Sequence, residues 1–150
     1  MKRITVIVQE HMFSKADINR FESGIKDIYK KNYSEEKVNV LWMVMPKGYA
    51  YSERKPSNAL VMMMEVEDTI TQENREQLLF AVSKYLLDNF KISPLDSVIT
   101  APNASYINAF FEAQKNRIDA KYRPFVSLKL YGRAFLSKLT NGFMKLPVKV

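Results

Sequence analysis

ITVIVQEHMFS, Ile4 to Ser14, has a counterpart 57 residues further on in VMMMEVEDTIT, Val61 to Thr71. Each opens as an apolar strand and ends on a hydroxyl residue suited to start a helix. Working outward, Ile18, Phe21, Ile25 and Ile28 follow the first stretch at helical spacing. Leu78, Leu79, Val82, Leu86 and Phe90 do the same after the second. A further strand closes each copy, Val38–Met45 in the first and Ser97–Thr100 in the second. The chain therefore reads as one β-α-β unit duplicated. This predicts an α+β fold in which a four-stranded sheet carries two helices on one face. Val38–Met45 is apolar on both its sides, so the uncovered face is expected to meet another copy of the chain.

Charge divides the chain differently. Residues 1–115 hold equal numbers of basic and acidic side chains, whereas 116–150 hold eight Lys or Arg against Asp119 alone, so the net charge of +7 belongs to the extension. We read 1–115 as the duplicated domain and 116–150 as a basic C-terminal extension. Within that extension Leu128, Tyr131, Phe135, Leu139 and Phe143 recur at helical spacing among lysines and arginines. The stretch Phe125–Tyr131 also reads as an edge strand, because Gly132 weakens the helix. A basic amphipathic helix suits an anionic membrane surface or nucleic acid. Packing across an oligomer is the preferred reading.

With no cysteine and a single histidine, a thiol nucleophile, a disulfide framework and a histidine-rich metal centre are ruled out. No cofactor and no metal is expected. The N-terminus enters its strand without an apolar leader, so the expected location is the cytoplasm.

The segments Val38–Pro46 (VNVLWMVMP) and Leu78–Pro94 carry a resemblance. The first resembles the second strand, and the second the second helix and its exit, of the macrophage migration inhibitory factor branch of the tautomerase superfamily. Length and layout resemble the cis-3-chloroacrylic acid dehalogenase branch. The resemblance covers roughly residues 2–112. It implies a homotrimer and an isomerase acting on a small carboxylated enol or keto substrate. The family's chemistry depends on an N-terminal proline that shuttles a proton. Lys2 stands at that position, or Arg3 with a one-residue shift. The dehalogenase branch's two arginines before the second helix align with Glu67 and Ile70, and its glutamate falls near Asn103. Altered or lost activity is therefore expected.

On this reading Lys2 is the candidate catalytic residue, as base or Schiff-base nucleophile; otherwise it is a solvated lysine at a strand start. His11, in the strand-helix loop, is a candidate for holding a substrate carboxylate. Lys47, Tyr49 and Arg54 lie on the loop 46–58, which in the family reaches a neighbouring subunit's pocket. Asn103 is a candidate donor to a substrate oxygen, or simply a helix cap. The methionines of strands two and three are core residues rather than metal ligands. Two rivals stand beside the enzyme. One is a non-catalytic, ligand-binding trimer whose basic tail contacts an anionic protein, membrane or nucleic acid. The other is a ferredoxin-like RNA binder, against which 58–64 lacks the basic-glycine-aromatic pattern for base stacking.

Overall fold

Both copies start their helices by the same device. The Ser14 hydroxyl accepts the Asp17 N–H at 3.1 Å while the Asp17 carboxylate takes the Ser14 N–H at 3.1 Å, a reciprocal cap. The Thr71 hydroxyl accepts the Asn74 N–H at 3.2 Å. The computed structural model of the chain describes residues 2–33, 37–52 and 55–147. In chain order the elements are β1 (Lys2–Gln9), α1 (Lys15–Tyr33), β2 (Val38–Met45), a small antiparallel pair β3 (Tyr51–Ser52) and β4 (Lys55–Pro56), and β5 (Leu60–Met64). Then follow α2 (Gln72–Phe90), a 3-10 turn at Pro94–Asp96, β6 (Ser97–Thr100), α3 (Ala104–Asn116), α4 (Arg123–Asn141) and β7 (Met144–Pro147).

Moving α1 by the 57-residue offset lays it on α2, and its buried Phe21, Ile25 and Tyr29 fall on Leu78, Val82 and Leu86. The helices approach closely where Gly24 faces the Tyr85 ring, and a methyl group there would overlap that ring. In the sheet β1 runs parallel to β2, and β5 parallel to β6. The two halves join antiparallel, with Ile4 opposite Met64 and Ile7 opposite Val61. Met64 is the repeat's counterpart of Ile7, and Val61 that of Ile4. The register therefore relates the halves by an approximate two-fold axis through the β1–β5 ladder.

Alternation does the rest. Ile4, Val6, Val8, Val38, Val40, Trp42, Leu60, Met62 and Met64 are buried in one cluster with the inward faces of α1 and α2. The residues between them (Ile7, Leu41, Met43, Val61, Met63) point to the other side of the sheet and are half-buried or exposed. That face is apolar and is left uncovered by α1 and α2, as the sequence predicts, with α3 touching it at Arg3.

The sheet has five strands rather than four, in the order β6-β5-β1-β2-β7. The added strand comes from the basic extension: β7 runs parallel to β2, with Met144 opposite Leu41 and Leu146 opposite Met43. The segment Phe125–Tyr131 lies inside helix α4, and the edge strand falls further along, at Met144–Pro147. Gly142 makes this possible. At φ 87° it ends α4 in a left-handed turn, its N–H donating to the Lys138 carbonyl at 2.9 Å, and the chain reverses onto the sheet edge. Phe143 then packs edge-on to Trp42, 6.5 Å between centroids.

Candidate functional site

The antiparallel join decides which polar side chains meet at the start of β1. Glu65, just past β5, lies opposite Arg3, its N–H donating to the Arg3 carbonyl at 2.9 Å. Their side chains share one side of the sheet, and the guanidinium Nε sits 2.5 Å from the Glu65 carboxylate. The Arg3 Nη2 also donates to the Asn108 side-chain oxygen at 2.6 Å, and its head lies 5.6 Å from the centre of the Phe111 ring. The second half thus contributes three partners, two of them from α3.

On the opposite side of the strand Lys2 is nearly buried, its side chain 12% exposed, and its ammonium lies 3.3 Å from the Glu67 carboxylate. Asp68 accepts both the hydroxyl and the N–H of Ser105, at 2.8 and 3.1 Å, and so caps the first turn of α3. Those two bonds, and more weakly the nearby Lys2 charge, hold the Asp68 carboxyl below the usual aspartate range. The cap therefore contributes above the ordinary aspartate value of 3.8 and is lost as pH falls through the lower folded value. Beneath, the buried Tyr29 hydroxyl donates to the Glu65 carbonyl at 3.1 Å. Burial first, then the Tyr33 and Glu65 charges, pushes its pKa far up, so it serves as a fixed donor.

Asn103 belongs to this same end. It forms a bridge with Val66, next to Glu65, and occupies the N-cap position of α3 without making a side-chain cap bond. Its side-chain oxygen instead accepts from the Arg75 Nη2 at 2.6 Å, while the other Arg75 nitrogen holds the Ala101 carbonyl.

His11 and Lys47 lie elsewhere, at the far end of β1, roughly 25 Å away at the rise of an extended strand. There they line a cleft of about 460 Å³ with Gln9, Phe13, Phe90 and Lys91. His11 holds a left-handed backbone, φ 65°, in the β1–α1 turn. Buried Gln9 ties the following loop down: its side-chain oxygen accepts the Gly48 N–H at 2.7 Å, and its amide donates to the Ser57 carbonyl. Gln9→Ala leaves both backbone groups unpaired. A loss of about 1–3 kcal/mol in denaturant unfolding is expected, with faster amide exchange at Gly48. Tyr49 on that loop is exposed, and Arg54 lies outside the described residues.

Of the side chains proposed from sequence, Lys2 and Asn103 are therefore brought to one end of the sheet. His11 and Lys47 are brought to the other. Arg3 was named from the sequence only as the alternative proline position; Glu65, Asn108 and Arg75 were not foreseen, and the antiparallel register reveals Arg3 and Glu65 as partners. Among the described residues no group of three or more His, Cys, Asp or Glu is placed to hold a metal ion.

Solved structures share this architecture. N1, a member of the cis-3-chloroacrylic acid dehalogenase family, superposes with a TM-score of 0.62 over 67% of this chain and 73% of its own, at 8% identity. A fused 4-OT solved as a symmetric trimer gives 0.59 over 67% of this chain and 84% of its own, at 9% identity. The fold is that of the tautomerase superfamily. Pt0534, solved after inactivation by 2-oxo-3-pentynoate, gives 0.61 over 67% of this chain and 84% of its own, at 16% identity. No family model and no curated protein matches the chain in sequence. In this chain β7 and α4 are what the extension adds to the duplicated unit.

Proposed function

We propose that this tautomerase-like chain binds a small carboxylated enol or keto acid at the start of β1, as an isomerase whose turnover is altered or lost because Lys2 stands where the family has proline. The observation that carries this reading is the nearly buried Lys2 ammonium on Glu67, backed on the other side of the strand by Arg3. Guanidinium and ammonium groups suit a carboxylate. The Phe111 ring offers apolar surface beside Arg3. Asn103, two strands across, is the polar group to reach a substrate oxygen. The bare sheet face supports a homotrimer, in which the loop bearing Lys47, Tyr49 and Arg54, together with His11, serves a neighbouring copy's pocket. That arrangement accounts for a set split between the two ends of one chain.

The test is ketonisation of enol phenylpyruvate, run on the natural protein and Lys2→Ala, with light scattering for mass. Turnover far below that of a proline-bearing tautomerase is expected, falling at least tenfold further in Lys2→Ala; each tenfold corresponds to about 1.4 kcal/mol of barrier. Robust turnover that survives Lys2→Ala would sink the assignment. A second probe is 2-oxo-3-pentynoate, which inactivates Pt0534. An amine adding to its alkyne forms one C–N bond, and the amine proton moves to the neighbouring carbon. The adduct keeps every atom of the reagent, and the expected mass gain maps to Lys2 or the chain's amino terminus.

A second reading is favoured by the extension: a non-catalytic trimer whose basic tail contacts an anionic partner. Its support is α4, which carries four basic and no acidic residues.

A further inference from the structure

We infer that α4 docks on an anionic lipid surface. This rests on the second reading above and names its partner. Phe125, Leu128, Tyr131, Phe135, Leu136 and Leu139 are each between 61 and 76% exposed. At about 100° of turn per residue they occupy one continuous arc of about 140°. No charged residue falls within that arc; Pro124 and Gly132 fill the remaining positions. Lys129 and Arg133 border it on one side and Lys138 on the other. Buried Ala134 lies about 130° round the helix from the middle of that arc, and α4 packs on β7. The stripe therefore faces away from the side of α4 that is buried.

The partner's chemistry follows from the borders. An apolar stripe alone would suit any apolar face, including the bare sheet of a second copy. Lysine and arginine along both margins, with stems lying beside the stripe and charges at its rim, match the boundary between acyl chains and anionic headgroups. Residues 1–115 of another copy sum to zero charge and offer no matching field. Nucleic acid would use the charges but leave three leucines without a counterpart. No helix among the described residues is long and apolar enough to cross a membrane, so α4 lies in the surface.

The test uses the full chain with vesicles of phosphatidylcholine alone, with vesicles that also contain phosphatidylserine, and with duplex oligonucleotide. Expected is sedimentation with the phosphatidylserine vesicles that fades as salt is raised, with little on phosphatidylcholine. Lys129→Gln and Lys138→Gln should each weaken it about fivefold. Phe135→Glu should abolish it while circular dichroism stays unchanged, since that side chain touches nothing in the core. Retention on oligonucleotide without vesicle binding overturns the lipid assignment and leaves the anionic-partner reading standing. Binding to neither, with α4 amides protected from exchange in an oligomer, overturns both and gives the stripe to a second copy.

Discussion

Trp42→Ala should cost about 3–5 kcal/mol, the range for deleting a large buried aromatic ring. Trp42 is 1% exposed and stands where the two layers and the extension meet. Its ring packs edge-on to Phe13 at 5.6 Å, Phe21 at 5.0 Å and Phe143 at 6.5 Å between centroids. The indole N–H donates to the Glu22 carboxylate at 3.0 Å, tying β2 to α1. Removing the ring opens a void among side chains that cannot all collapse into it, because Phe21 is itself held against Phe90. The melting temperature should fall by roughly 6–20 °C for a chain of this length. Circular dichroism is the proper probe, since the variant lacks the only tryptophan. Trp42→Phe keeps most of the packing and loses the hydrogen bond, so it should recover most of the stability. A loss below 1 kcal/mol for alanine would mean that the aromatic cluster is not the centre of the core.

The second large effect concerns Arg3. Arg3→Ala leaves the Glu65 carboxylate, 8% exposed, without its cation. Breaking a buried pair from one side costs about 3–5 kcal/mol, but Arg3 itself is 41% exposed and water screens the pair. About 2–3 kcal/mol is expected. Glu65→Gln should cost less, because the cation left behind reaches solvent. The double variant should be milder than the sum of the two singles, a coupling of about 1 kcal/mol or more in a mutant cycle. Simple additivity would show that the short contact does not hold the two halves together.

That pair also shows where reading the sequence ran out. The strands, both 19-residue helices and their caps were legible because each signal is local: alternation, helical spacing, a hydroxyl at the start. Ser14 and Thr71 announced themselves as hydroxyl residues at helix starts, 57 residues apart. How two β-α-β units join is a tertiary fact, and without it Arg3 and Glu65 are unrelated charges. The same limit explains β7. Met144–Pro147 is four residues long, too short for alternation to show, and it becomes a strand because β2 offers it an edge. Gly132 weakened the helix reading of Phe125–Tyr131, yet one glycine costs less than the rest of α4 contributes. Lys2, the catalytic candidate, and Asn103, one of the substrate-binding candidates, fall at one end. His11 and Lys47 were proposed from the resemblance, Lys47 on a loop expected to reach a neighbouring subunit, and within one chain an eight-residue strand keeps them apart from Lys2.

The two halves of the sheet are related by rotation, but only one of them is extended by a further strand. β7 covers the outer edge of β2, while β6, its counterpart, ends the sheet with nothing beyond it among the described residues. The molecule thus has two unlike flanks, one ending in β7 and one in β6. A further strand meets β7 on one flank and β6 on the other, where Val98 is exposed. Cutting away the extension would expose a long apolar strand, β2, to any passing backbone, turning an ordered sheet into a seed for aggregation. The basic extension is, in that sense, also the protein's solubility device.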